Sequence, residues 1–229
     1  MYEAIILAGG LGTRLRSVVN DIPKVMAPVA GKPFLHYIIK KLIEEKVLRI
    51  IIAAGYKHET IEEYVSQANY NAEIIFSIEH EPLGTGGGIK LALELCAQQN
   101  VFIVNGDSFL NCSLHNLMVE HLSNDADISV ALKKMLNFDR YGTVKLEKNR
   151  IVKFNEKQYC REGLINAGVY IFKINVLDGL NLPEIFSMEK EVFEAHTSAL
   201  KIMGFSFNNY FIDIGIPEDF ERAQKDFRE

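Results

Sequence analysis

The chain has 229 residues, 48% of them hydrophobic and 24% charged, with a formal charge of -5; this length suits one large domain with a substantial core. An acidic chain without clustered Lys and Arg gives no footprint for non-specific nucleic-acid binding. Three cysteines, Cys96, Cys112 and Cys160, are odd in number and lack CxxC spacing, which argues against a disulfide framework or a zinc knuckle.

The N-terminus "MYEAIILAGG" has no basic region, and its apolar run is too short for a signal sequence or a membrane span. A cytoplasmic protein with no membrane partner is expected. Four apolar runs read as strands: "EAIILA" (3–8), "RIIIAA" (49–54), "AEIIFSI" (72–78) and "VFIVNG" (101–106). Segments of helical period at 33–46, 58–67 and 86–98 separate them, an alternation that predicts βαβ units and a parallel sheet. Pro33 suits a first helical turn, and Leu35, Ile38, Ile39, Leu42 and Ile43 share one stripe.

From about Asp127 the pattern changes. "DISVALKK", "GTVKLE", "RIVKFN" and "LINAGVYIF" follow one another closely, which predicts antiparallel pairs and makes the sheet mixed. A helix near 187–197, a strand near 199–205 and a last helix from Pro217 complete the reading. No internal repeat and no Ser/Gly linker marks a domain boundary.

The glycine-rich stretch "AIILAGGLGTRL" (4–15) follows the first strand, and absent side chains there let backbone N–H groups approach an anion. It fails the dinucleotide fingerprint, because Leu15 stands where the third glycine belongs, and it has no GKS or GKT ending for a phosphate loop of the ATPase type. Arg14 and, ten residues later, Lys24 in "DIPKVMAPVAGKP" supply two cations at one loop. That pairing suits a polyphosphate; the same residues also fit a tight turn with two surface cations.

"LAGGLGTRL" followed by "PKVMAPVAGKPFLHYII" resembles the opening signature of the sugar nucleotidyltransferases, also called nucleoside-diphosphate-sugar pyrophosphorylases. The likeness continues through "EPLGTGGGI", "NGDSF", "NEK", "NAGVYIF", "SMEKEVF" and "FIDIGIPEDF". It spans nearly the whole chain in family order.

The resemblance implies an α/β fold: a Rossmann-like mixed, mainly parallel sheet flanked by helices, with a small antiparallel sugar-binding lobe. The nucleotide-binding part would cover about residues 1–125 and the sugar-binding part about 126–229 of a single domain. The implied reaction is attack of a sugar 1-phosphate on the α-phosphorus of a nucleoside triphosphate, with release of pyrophosphate. Such transfer needs positioning and charge neutralisation rather than a covalent nucleophile, and the chain has no GxSxG elbow.

By the same resemblance Arg14, Lys24 and Asp107 are catalytic, and Asp107 and Asp213 hold Mg2+. Both aspartates also follow apolar runs, where open α/β sheets bind ligands, although a turn-capping Asp would look alike. Leu7, Ala8, Gly9, Gly10, Gly12, Thr13, Arg14, Glu81, Gly84 and Thr85 are implied to contact the nucleotide, the glycines after Glu81 giving the base close access to backbone. Glu156, Lys157, Asn166, Gly168 and Glu189 are implied to contact the sugar phosphate. Gln158 stands where many relatives carry proline. Tyr56 suits either base stacking or the wall of a cleft and is not assigned to the site.

Within the family, the compact length and the motifs around Lys24 and Gly84 look closest to bacterial D-glycero-D-manno-heptose 1-phosphate guanylyltransferases, which implies GTP and a heptose 1-phosphate as partners and GDP-heptose for capsule, S-layer or other surface glycans as product. The chain ending soon after "PEDF" suggests a monofunctional transferase without an appended β-helix. Two alternatives stay open: uridylyl, thymidylyl or cytidylyl transfer to another sugar or amino-alcohol phosphate, and a regulatory module that binds sugar nucleotides without turnover. Retention of Arg14, Lys24, Asp107 and Asp213 argues against the second. Oligomeric state is not legible, and a homo-oligomer is compatible with the chain.

Overall fold

The computed structural model describes residues 2–10 and 22–228. Strand β1 (Tyr2–Leu7) is followed by a short hairpin, β2 (Pro28–Val29) and β3 (Lys32–Pro33), and by helix α1 (Phe34–Glu44). Then come β4 (Val47–Ala54), α2 (His58–Gln67), β5 (Glu73–Ile78), α3 (Gly84–Leu93), β6 (Asn100–Asn105), β7 (Ser108–Leu110) and α4 (Leu114–Ser123). The second half runs β8 (Ile128–Phe138), β9 (Gly142–Glu147), β10 (Arg150–Lys157), β11 (Cys160–Lys173), a π-helical segment (Met188–Glu194), β12 (Ile202–Phe207), β13 (Phe211–Asp213) and α5 (Pro217–Asp226).

Nine strands form one sheet in the order β5-β4-β1-β6-β11-β8-β12-β10-β9. The first four are parallel, as the alternation with helices predicts. Strand β11 joins antiparallel to β6 and β8, and β12 lies parallel to β8. The antiparallel part therefore extends the same sheet. Strands β9 and β10 form its far edge and fold back against β11.

Successive residues of a strand face opposite sides of a sheet, and both faces here are apolar. Ala4, Ile6, Ile50, Ile52 and Phe102 pack with Leu35, Ile38, Ile39 and Leu42 of α1 and with Phe220 and Ala223 of α5. Ile5, Ile51 and Ile103 pack on the other face with Ile89, Ala92 and Leu93 of α3 and with Phe193. Burial on both faces explains why β1, β4 and β6 read as unbroken apolar runs. Among the described residues, no helix is long and apolar enough to cross a membrane.

Three readings shift. Helix α1 begins after Pro33, whose extended backbone (ψ 143°) makes it the cap. Helix α3 occupies 84–93 rather than 86–98, because the chain beyond it turns to donate the Ala97 and Gln98 amides to the buried Glu3 carboxylate at 2.8 and 2.7 Å. The helix expected near 187–197 is the π-helical segment, opened by Ser187.

Helix α4 was not expected from periodicity, because it turns a polar side chain inward. His121 is 1% exposed, with Nδ1 2.8 Å from Ser129 Oγ and Nε2 3.0 Å from Asn100 Oδ1. Asn100 Oδ1 can only accept, so Nε2 carries a proton. Burial, and secondarily the Lys173 ammonium, pushes the His121 pKa down to about 4. A folded value below the unfolded one of about 6.5 means that the unfolded chain takes up the proton first. Stability should therefore be complete above about pH 6.5 and decline towards about pH 4, by up to about 3 kcal/mol. Urea titrations across that range check this, and His121→Gln should flatten the acid limb.

Candidate active site

The C-terminal ends of β1, β4, β5 and β6 open into a cleft of about 750 Å3, the position that open α/β sheets use for ligands. Its lining includes Leu7 at the end of β1 with Gly9 and Gly10 beyond it, Gly55 and Tyr56 after β4, and Glu79 after β5. Ala8 lies beneath, 2% exposed, with its amide donating to Ala53 O at 2.7 Å. Gly12, Thr13 and Arg14 lie outside the described residues. Tyr56 is 43% exposed on the cleft wall, with Lys57 Nζ 5.5 Å from its ring centre.

A cluster of charge that includes Lys24 and Asp107 also borders the cleft. Strand β7 pairs with β13, which sets Ser108 opposite Asp213 and brings Asp107 beside it. The Ile214 amide donates to Asp107 O at 2.9 Å, and the Gly215 amide to Asp213 Oδ1 at 2.7 Å. Lys24 Nζ lies 2.6 Å from Asp107 Oδ2 and 3.9 Å from Asp213 Oδ1. The two carboxylates predicted at separate strand ends thus converge, and the lysine predicted to meet phosphate serves them both.

Burial, and then the charge of Asp107, holds the Asp213 carboxyl above the usual carboxylate range, with Lys24 opposing. Among the described residues one lysine faces both carboxylates, the Arg140 guanidinium acts more weakly on Asp213, and Lys24 and Asp107 line the cleft. A hard divalent cation such as Mg2+, which takes one or two carboxylates and completes its shell with phosphate and water, fits the carboxylate pair. Asp219, in the first turn of α5, pairs with Arg140 and with Arg222 at 3.2 Å, and this anchors the helix that follows Asp213.

The glycines of "GTGGG" serve a contact that the sequence does not announce. A Cβ on Gly84 would stand 2.5 Å from Phe186 O, and one on Gly86 would stand 2.2 Å from the Phe186 ring. A Cβ on Gly88 would stand 2.5 Å from Glu79 Oε1. These glycines let the 184–186 backbone and the Glu79 carboxylate come close, where the sequence suggests room for a base alone. Gly84 and Thr85 do line the cleft; Glu81 is exposed and lies off its lining, two residues from Glu79.

Glu79 is the group that sequence reasoning missed. Its Oε2 accepts the Leu83 amide at 3.0 Å, while Oε1 receives no hydrogen bond among the described residues and faces the cleft. Burial raises its pKa, and the Leu83 amide opposes the shift. The signal was its position directly after β5, with its amide bonded to Ala54 O at 2.8 Å.

On the second half, Glu189 lines the cleft beside Thr85. Asn166 lies one layer back: its Nδ2 donates to Tyr170 OH at 2.8 Å and its Oδ1 accepts the Gly168 amide at 3.0 Å. Glu156 and Lys157 are exposed at the end of β10, off the cleft lining. Gly168 has φ +74°, and a Cβ there would meet the buried Ser108 Oγ at 2.4 Å. Gly168→Ala should therefore cost about 2–4 kcal/mol by chemical denaturation.

The sequence profile of the nucleotidyl transferase family matches residues 3–229. The chain belongs to that family. This nucleotidyl transferase is 47% identical, over 99% of its length and 98% of the relative's, to the D-glycero-alpha-D-manno-heptose 1-phosphate guanylyltransferase of Aneurinibacillus thermoaerophilus. It is 43% identical to the enzyme of the same name from Campylobacter jejuni, over 95% of this chain and 96% of that one. Its fold matches the crystal structure of HddC from Yersinia pseudotuberculosis complexed with GMP-PN, with a TM-score of 0.90 and 35% identity over 99% of this chain and all of that one. The mixed sheet flanked by helices is accordingly the nucleotidyl transferase fold.

Proposed function

We propose that this nucleotidyl transferase joins GTP to D-glycero-α-D-manno-heptose 1-phosphate. A phosphate oxygen of the sugar 1-phosphate forms a bond to the α-phosphorus of GTP, the bond to the β-phosphate oxygen breaks, and pyrophosphate leaves with GDP-heptose as product. The similarity to heptose guanylyltransferases over nearly the full length supports the sugar. The observation that carries the choice of base is the free oxygen of Glu79 in the cleft lining. Guanine presents adjacent N1–H and N2–H donors on one edge, and a carboxylate offers only acceptors.

In this reading the backbone of Leu7, Ala8, Gly9 and Gly10, together with Gly84, holds the nucleoside, and Gly12, Thr13 and Arg14 receive the triphosphate. Asp107 and Asp213 hold Mg2+, which supplies positive charge to the phosphates when bound. Lys24, now seated between the carboxylates, has the flexible stem and compact charge to turn towards a phosphate oxygen. Glu189 accepts from sugar hydroxyls, Asn166 and Gly168 shape the wall behind them, and Glu156 and Lys157 meet the sugar phosphate from β10. Glu81 acts from the rim of the nucleotide side. The enzyme works in the cytoplasm and supplies activated heptose for surface glycans.

Pyrophosphate release with Mg2+ should be measured for GTP, UTP, CTP, dTTP and ATP against heptose, mannose, glucose and N-acetylglucosamine 1-phosphates. Release confined to GTP with the heptose 1-phosphate is expected. Release with another pair would keep the chemistry and overturn the substrates, and the same assay with EDTA tests the cation.

A further inference from the structure

The family resemblance assigns Thr85 to the nucleotide and Glu189 to the sugar, yet the two side chains bond each other in the cleft they both line. Thr85 Oγ1 donates to Glu189 Oε2 at 3.0 Å and accepts the Met188 amide at 2.9 Å. Ser187 Oγ donates to the same Oε2 at 2.9 Å. A hydroxyl has one proton, and that of Thr85 is committed to Glu189. Its side chain therefore serves the π-helical segment.

The backbone beneath ties the same two elements. The Gly86 amide donates to Phe186 O at 2.9 Å, and the Phe186 amide donates to Leu83 O at 3.0 Å. With Gly84 and Gly86 flush against Phe186, the glycine loop and residues 186–189 form one unit. Glu189 Oε1 receives no hydrogen bond among the described residues, and the residue lines the cleft that Lys24 and Asp107 also line. One carboxylate oxygen is thus held by two hydroxyls and the other is left to accept from a ligand.

We propose that Thr85 is a positioning residue for the sugar phosphate: it fixes Glu189 so that Oε1 meets a sugar hydroxyl, and it makes the sugar side of the site depend on the loop that shapes the nucleotide side. The proposal rests on the transferase reading above. It reassigns the Thr85 side chain away from the nucleotide.

Steady-state kinetics of Thr85→Val with GTP and D-glycero-α-D-manno-heptose 1-phosphate each varied tests it. The isosteric loss of one hydroxyl should raise KM for the sugar phosphate about fivefold to tenfold, leave KM for GTP within about twofold and change kcat little. Thr85→Ser should restore the wild-type value. Glu189→Ala should raise the same KM at least as much, and Thr85→Val combined with Glu189→Ala should be no worse than Glu189→Ala alone.

A rise confined to the GTP KM would overturn the proposal and return Thr85 to the nucleotide. Additive losses in the double variant would overturn it too, as would a lowered Tm with both KM values rising and no rescue by serine. Absence of turnover by the wild-type chain with every substrate pair would refute the transferase reading itself, and this proposal with it.

Discussion

Asp107→Asn should lower kcat by about 1,000-fold or more at saturating GTP and Mg2+ while Tm stays near the wild-type value. The size follows from removing charge at the place where negative charge on the leaving pyrophosphate must be balanced, an effect of several kcal/mol in a preorganised site. The unchanged Tm follows from the local electrostatics. Asp107 loses its 2.6 Å contact with Lys24, but Asp213 loses the like-charged neighbour that helps hold its carboxyl above the usual range. Lys24, 3.9 Å from Asp213, can then close on the remaining carboxylate, so the two effects offset. Turnover within about tenfold of wild type would remove Asp107 from the machinery.

That like-charge pair explains an arrangement a stability argument alone would not produce. Two partly buried carboxylates converge because β7 and β13 pair across only three residues, with Asp213 set opposite Ser108. Strands this short are weak on their own. Their register is held by the Ile214 and Gly215 amides and by the α5 turn, where buried Asp219 meets Arg140. In the proposed function, a Mg2+ ion held by the two carboxylates would balance the like charge at the strand ends.

Part of this is legible in the amino-acid sequence. Parallel strands buried on both faces read as continuous apolar runs, so β1, β4 and β6 stand out, while Asp107 and Asp213 follow apolar runs and owe their expected metal role to the family resemblance. What stayed hidden depends on tertiary contacts. Helix α3 opens with four glycines, poor helix formers, because Phe186 and the Glu79 carboxylate occupy the space their side chains would fill. Helix α4 hides behind His121, whose inward imidazole breaks the apolar stripe while Ser129 and Asn100 satisfy it. Strands β7 and β13 have too few residues to show a period.

Glu79→Gln should lower kcat/KM for GTP by about 100-fold and raise the relative use of UTP and dTTP. A carboxylate presents only acceptors; a glutamine amide presents one acceptor and one donor. With the acceptor kept for the Leu83 amide, now 3.0 Å from Oε2, the NH2 group faces the cleft and confronts the N1–H and N2–H donors of guanine. Leaving buried donors opposed costs about 2–3 kcal/mol. Uracil and thymine carry carbonyl acceptors on the same edge, and a donor from glutamine suits them. Shape is nearly unchanged, so Gly9 and Gly88, which lie against the Glu79 carboxylate, need not move. A kcat/KM series over the five triphosphates checks the outcome. Equal losses for every base would mean that Glu79 supports the loop through Leu83 rather than reading the base, and a loss confined to GTP would locate base choice in one oxygen atom at the end of β5.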